Sequence, residues 1–279
     1  MCHARLPLVL LLVAVASGCT RRAVEGLPPG VAVEDLPDSE SWNARLRTSA
    51  DGRPQLEIDA PYLARYDRDT AFVYLGPPPG DATGAPVSIR LFDAAGAPSG
   101  SVRAREVRLF DEGGRVEAEG DARATVAGED GAVVNAARLT VEGERVDARG
   151  DVRAEVLGGG GARVRAARVS IAPGGSFTAS GGATVELSGR AQATVRAQTV
   201  TGAGGRYQAT GRVRVAASGG RTLEAERVVW SESAGRFTAP GAFAFDGPGE
   251  RVRGVGLSAS ADLSRYSFRR ATGQIEVRE

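Results

Sequence analysis

The sequence predicts an all-β protein of antiparallel strands that recur with a period near thirty residues, and three observations predict it. The first is a marker of a bulky apolar residue, any residue, Ala, any residue and Gly. It occurs as Val116, Ala118, Gly120; Val146, Ala148, Gly150; Phe177, Ala179, Gly181; Tyr207, Ala209, Gly211; and Phe237, Ala239, Gly241. Successive glycines lie 30, 31, 30 and 30 residues apart, and a looser copy ends at Ala271 and Gly273. A second marker keeps phase with it, as Val102 and Ala104, Val134 and Ala136, Val164 and Ala166, Val195 and Ala197, then Leu223 and Ala225. Fixed-period self-similarity of this kind is the signature of a repeat architecture. The second observation is alternation with period two inside each unit, which places apolar side chains on one face of a strand and polar ones on the other. The third is the 38 Gly and 46 Ala among 279 residues. Repeated Gly weakens helices by about 1 kcal/mol at each occurrence but suits turns between short Val-rich strands.

The chain opens with an address. His3 and Arg5 precede an apolar run from Leu6 to Ala16, followed by Ser17, Gly18 and Cys19, the order of an export signal. The uncharged stretch ends by Thr20 and Arg21 and falls short of the ~20 apolar residues of a membrane-spanning helix. Ala16, Ser17, Gly18 and Cys19 resemble a bacterial lipobox, so residues 1–18 are expected to be a lipoprotein signal peptide and Cys19 the lipidated N-terminus. The alternative is ordinary signal cleavage near Ser17 or Gly18, leaving a free thiol. Residues 19–40, polar and Pro-containing, read as a tether. The folded body is expected over 41–279.

Within the body, Leu56 to Phe92 reads as a degenerate first unit interrupted by a loop at Pro77, Pro78, Pro79 and Gly80. Residues 134 to 156 show the regular pattern. Val134, Ala136, Leu139, Val141, Val146, Ala148, Val152, Ala154 and Val156 are apolar, with Asn135, Arg138, Thr140, Asp147, Arg153 and Glu155 between them. One-sided strands suit antiparallel sheets, because parallel sheets are covered on both faces. Two strands per unit give about sixteen in the body. A parallel β-helix is the competing repeat fold; it would carry strands through its corners, where this chain has Gly-rich breaks.

Composition narrows the chemistry. There is no Lys, the formal net charge is +1, and a dedicated nucleic-acid partner would call for a stronger basic excess. Processing at Cys19 would remove the single His3 and Cys2. The mature chain would then have no disulfide, no Cys/His metal site and no base for a Ser or Cys nucleophile. Pairs such as Glu117 with Glu119, or Glu142 with Glu144, alternate beside Arg and read as the solvated face of a strand. No cofactor and no enzymatic activity are expected.

The small inward residues pose a packing question. Facing sheets sit about 10 Å apart when their side chains interdigitate, and Ala at every other inward position would leave a void costing ~24 cal/mol per Å3. Either the sheets approach more closely, or a thin apolar ligand fills a trough. An acyl chain fits the second case, since each CH2 withdrawn from water contributes ~0.8 kcal/mol. Val134, Ala136, Leu139, Val141, Val146, Val164, Ala166, Val169, Ile171 and Phe177 are the candidate lipid-binding residues. For each of them, ordinary core packing is the other reading.

Further motifs carry a family resemblance. Thr222 to Arg227, then Val229, Trp230, Arg236, Phe237, Thr238 and Ala239, resemble an "L-x-A/T-x-x-L-x-W … i-x-T" run. Arg253 to Leu257, then Tyr266, Gly273, Gln274 and Ile275, resemble a "G-x-G-L … Y … G-x-I" ending. Ala60, Pro61 and Tyr62 with Phe92, Asp93 and Gly96 resemble the opening "A … FFD-x-x-G". Over residues 42 to 279 the chain thus resembles the OstA-like proteins of lipopolysaccharide transport, LptC and LptA, and LptC most. It differs in having a lipobox where LptC proteins have a transmembrane helix, and in its longer body.

The resemblance implies an elongated β-jellyroll of two facing sheets enclosing an apolar trough. It also implies a periplasmic, membrane-anchored protein that accepts lipopolysaccharide from an inner-membrane ABC transporter and passes it along a bridge to the outer membrane. Contacts with transporter components and a periplasmic bridge protein would form by β-augmentation, with sheet edges expected near residues 56 to 66 and 266 to 278. Two other readings stay open. A structural β-solenoid or scaffold lipoprotein would have a closed interior, and a surface adhesin would carry aromatics on its wet face, where the sequence places few.

Overall fold

A computed structural model describes residues 36–275, apart from 68–69, 82–83, 111–113, 129–130, 144, 158–160 and 189–190. The expected signal peptide, Cys19 and most of the expected tether lie outside the described residues.

Seventeen strands form one antiparallel sheet: β1 (Ser39–Ala50), β2 (Arg53–Tyr66), β3 (Phe72–Gly76), β4 (Val87–Phe92), β5 (Pro98–Ala104), β6 (Glu106–Phe110), β7 (Arg115–Val126), β8 (Ala132–Glu142), β9 (Arg145–Val156), β10 (Ala162–Ile171), β11 (Phe177–Leu187), β12 (Ala193–Ala203), β13 (Arg206–Ala216), β14 (Thr222–Ser231), β15 (Arg236–Gly247), β16 (Glu250–Ser260) and β17 (Tyr266–Ile275). From β7 onward each strand pairs with the next along the chain.

The first unit departs from this regularity as its sequence predicts. β2 pairs with β3 through Tyr62 to Tyr66 and with β4 through Leu56 to Asp59. β3 and β4 therefore share one rung, opened by the excursion from Pro77 to Pro86. β5 and β6 likewise share the next rung, broken at Arg105, and both pair with β7. Seventeen strands thus fill fifteen rungs, against the expected sixteen strands. A thirty-residue repeat is one rung out and one rung back.

The Gly marker marks a corner. Glu119 pairs with Arg138 and Ala122 with Ala136, so Gly120 and Asp121 stand together opposite Ala137 alone. Two residues against one is a β-bulge, which bends the strand. At the equivalent Gly150 and Gly181 φ is +80°, and a Cβ there would come within 2.8 Å of the Cβ of Ala137 and Ala167 on the neighbouring rungs. A left-handed backbone and a close neighbour together require Gly. The fifth marker solves the corner differently. There Pro240 and Gly241 face Gly256 on β16, and Gly256, not Gly241, takes the positive φ of +75°.

The bends align along the sheet and fold it into two walls joined at a spine, so that the inward faces of both halves of each strand are buried. On β9, for example, Val146 and Ala148 before the corner and Val152, Ala154 and Val156 after it are all 5% exposed or less. Contacts run from wall to wall. The rings of Phe245 and Tyr266, on opposite walls, lie 4.7 Å apart. The Tyr266 hydroxyl donates to Glu250 Oε2 at 2.5 Å, across the seam opposite the spine. The architecture is all-β and jellyroll-like, in line with the fold expected from the sequence.

Candidate functional site: the apolar interior and its two ends

The strand register turns the repeat into continuous inner rows. In one, Ile58, Ile89, Val102, Ala124, Val134, Ala154, Val164, Val185, Val195, Val215, Leu223, Phe245 and Val252 face each other rung after rung from β2 to β16. On the opposite wall, Leu75, Val107, Ala118, Leu139, Ala148, Val169, Ala179, Val200, Ala209 and Val228 form another. No buried polar or charged residue interrupts them among the described residues.

All ten residues singled out from the sequence reach this inner face. Val134 and Val164 lie on the second wall and Ala136 and Ala166 beside the spine. Leu139 and Val169 lie on the first wall, with Val141, Val146, Ile171 and Phe177 one row nearer its hairpins. All are buried except Val141, which is half-buried.

Of the two packing solutions the sequence allowed, the interior adopts closer approach of the walls. Ala118, Ala122, Ala179 and Ala239 are fully buried although their own side chains are small. The space framed by Val185, Val195, Val200, Tyr207, Val228, Trp230 and Phe237 holds about 10 Å3, less than one water needs. Among the described residues, the interior is closed at this place and holds no open trough there. Small side chains let the walls meet, which avoids the cavity penalty.

The edges differ from expectation at one end. Residues 56 to 66 belong to β2, which is paired on both sides, and the N-terminal edge is β1. Only its first two residues fall in the expected tether; its Arg45 and Arg47 lie in the expected body, and charged side chains are how free edges are commonly protected. At the other end β17 pairs only with β16, in agreement with the predicted edge, although residues 276–278 lie outside the described set.

Each edge strand is clipped by a tyrosine. Tyr62 donates to Glu40 across β1 and β2, and burial followed by this bond raises its pKa well above the usual tyrosine value. Burial and the bond to Glu250 push Tyr266 up to about 12. Apolar side chains remain uncovered beside both edges, with Leu46 44% and Phe268 43% exposed.

One surface was not anticipated. Tyr62, Tyr66, Phe72, Tyr74 and Phe110 point outward, where the sequence reading places few aromatics. The rings of Tyr66 and Phe72 stack 4.6 Å apart, Phe72 lies 5.7 Å from Phe110, and the Arg115 guanidinium sits 4.3 Å above Phe110. The Pro77–Asp81 segment roofs part of this patch, with Tyr74 donating to the Pro77 carbonyl at 3.3 Å, and leaves a cleft of about 590 Å3. The legible signal was the unbroken apolar run Ala60 to Ala64 and Phe72 to Leu75, since apolar residues at both parities mean that both faces are covered. The patch is a satellite core that pins the excursion of the first unit.

Acid pairs such as Glu117 and Glu119 lie on the outer face, each beside an arginine: Arg115 at 3.6 Å and Arg138 at 2.9 Å, respectively. Among the described residues no helix is long and apolar enough to cross a membrane, and no cluster of His, Cys, Asp and Glu is placed to hold a metal ion. No protein-family model matches the chain, and no curated protein sequence aligns with it significantly.

Proposed function

We propose that this protein is a lipopolysaccharide transport module of the periplasm, anchored through lipidated Cys19. In this reading it takes glycolipid from an inner-membrane ABC transporter and passes the acyl chains along its interior toward the outer membrane. One observation carries the reading: apolar rows run without a polar break from β2 to β16 and end beside two free sheet edges. A fourteen-carbon chain loses roughly 10 kcal/mol of protection on entering water, and a continuous aliphatic surface removes that barrier with no catalytic group. Because the walls touch, cargo enters by parting them at the seam while the spine stays joined. Each Å2 of wall-to-wall contact given up is replaced by contact with the acyl chain, so the exchange is close to neutral. The free edges of β1 and β17 supply backbone groups for pairing with transporter and bridge partners.

The closed interior favours a second reading, a structural scaffold lipoprotein that binds no lipid. A photocrosslinking residue at Val141 or Ile171, tested in cells, separates the two. Transport predicts capture of lipopolysaccharide from these inward sites and none from outward Arg138. Equal labelling at all three, or none, leaves the scaffold.

A further inference from the structure

The outer face carries an order that neither core packing nor lipid transport uses. On the second wall, beside the spine, one cross-strand row runs through eight rungs from β5 to β13. Six of its positions are Arg103, Arg123, Arg153, Arg165, Arg196 and Arg214; Asn135 and Thr184 hold the other two, and no carboxylate interrupts it. Arg103 faces Arg123, Arg153 faces Arg165 and Arg196 faces Arg214 directly. All six are exposed. Arg153 has Asp151 at 3.0 Å and Arg214 has Glu224 at 3.3 Å, whereas the other four form no ion pair among the described residues.

Like charges placed directly opposite in a sheet oppose folding. The adjacent outer row shows the ordinary solution, mixing Thr125, Glu155, Arg163, Glu186 and Thr194, with Arg163 paired to Glu155 at 3.5 Å. A row kept basic at that cost, in a protein of net charge +1, points to an anionic ligand.

Geometry selects the class of ligand. Strands about 4.8 Å apart place the row over about 34 Å, and a twist of about 20–25° per strand turns it through roughly 150°. A row that winds this far cannot face a flat bilayer along its length, whereas a flexible chain can follow it. Single-stranded nucleic acid would call for aromatic platforms between the cations, and residues 111 to 176 contain no aromatic residue. Arginine, the cation this Lys-free chain uses throughout, has a planar fork that matches a carboxylate with two hydrogen bonds. We propose that this row is a binding track for a linear acidic polysaccharide. It lies beside the spine, away from the seam, so it does not depend on the transport reading.

The test measures binding of the full-length protein to labelled polygalacturonate at low and physiological salt. Wild type is expected to bind, more weakly as salt rises. The triple variant R123Q/R165Q/R196Q is expected to lose about tenfold or more in affinity, with a melting temperature equal to or above wild type because repulsion is relieved. R163Q/R236Q/R251Q removes the same charge outside the row and is expected to stay within about twofold. Four results would overturn the track: no binding by wild type, equal loss in both triple variants, a lowered melting temperature in the row variant, or tighter binding to single-stranded DNA or to phosphatidylglycerol vesicles than to polygalacturonate.

Discussion

The middle of the molecule and its C-terminal third solve the same packing problem with different side chains. Residues 111 to 176 contain no Phe, Trp or Tyr, and their inner rows are Ala, Val, Leu and Ile. From β13 onward Tyr207, Trp230, Phe237, Phe243, Phe245 and Tyr266 enter the interior; Trp230 and Phe237 lie 4.6 Å apart, and Phe245 packs on Tyr266. Alanines are fully buried in both regions, as Ala118 and Ala122 in the middle and Ala239 and Ala259 further on, but in the C-terminal third rings fill the space between them. The interior is thus filled rung by rung with different side-chain volumes on one repeated backbone plan.

The sharpest way to break this contrast is to remove a prop. Phe237, fully buried, is expected to cost about 3–5 kcal/mol when truncated to Ala, read as a fall in the chemical-denaturation midpoint. The opposite change belongs in the middle, where Ala118→Leu forces apart walls already in contact and is expected to destabilise by about 1–3 kcal/mol. The same extra volume at exposed Ala137 should leave the midpoint nearly unchanged.

The smallest effect concerns the seam. Tyr266→Phe removes the hydrogen bond to Glu250 and is expected to cost about 1 kcal/mol. Because the folded-state pKa of Tyr266 is raised to about 12, its contribution is complete below the ordinary tyrosine value and is lost as pH rises from there through about 12. A melting profile across alkaline pH should therefore fall less steeply in the variant than in wild type.

Much of this was legible because the repeat reports geometry directly. The recurring Gly is a bulge at the spine, the residues flanking it in alternation are the inner rows, and the Pro-rich interruption after Leu75 is the excursion between β3 and β4. What escaped was decided by neighbours distant in sequence. That β1 and not residues 56 to 66 forms the N-terminal edge is decided by its register with β2, where Trp42 faces Tyr62 and Leu46 faces Ile58. The outward aromatics become a patch only when β2, β3 and β6 are laid side by side. The arginine track is likewise invisible along the chain, where its members are separated by whole rungs. Whether Ala-rich walls would enclose space or close on each other depends on how near the walls come, which alternation alone does not set.

The central claim is that the walls, closed at rest, part at the seam to admit acyl chains. Spin labels at Arg145 and Leu157, at the two ends of β9, report that opening as a distance. Addition of lipopolysaccharide is predicted to lengthen and broaden the distance distribution, while its delipidated polysaccharide leaves it unchanged. An identical distribution with and without the intact glycolipid would contradict the account and leave a closed scaffold in its place.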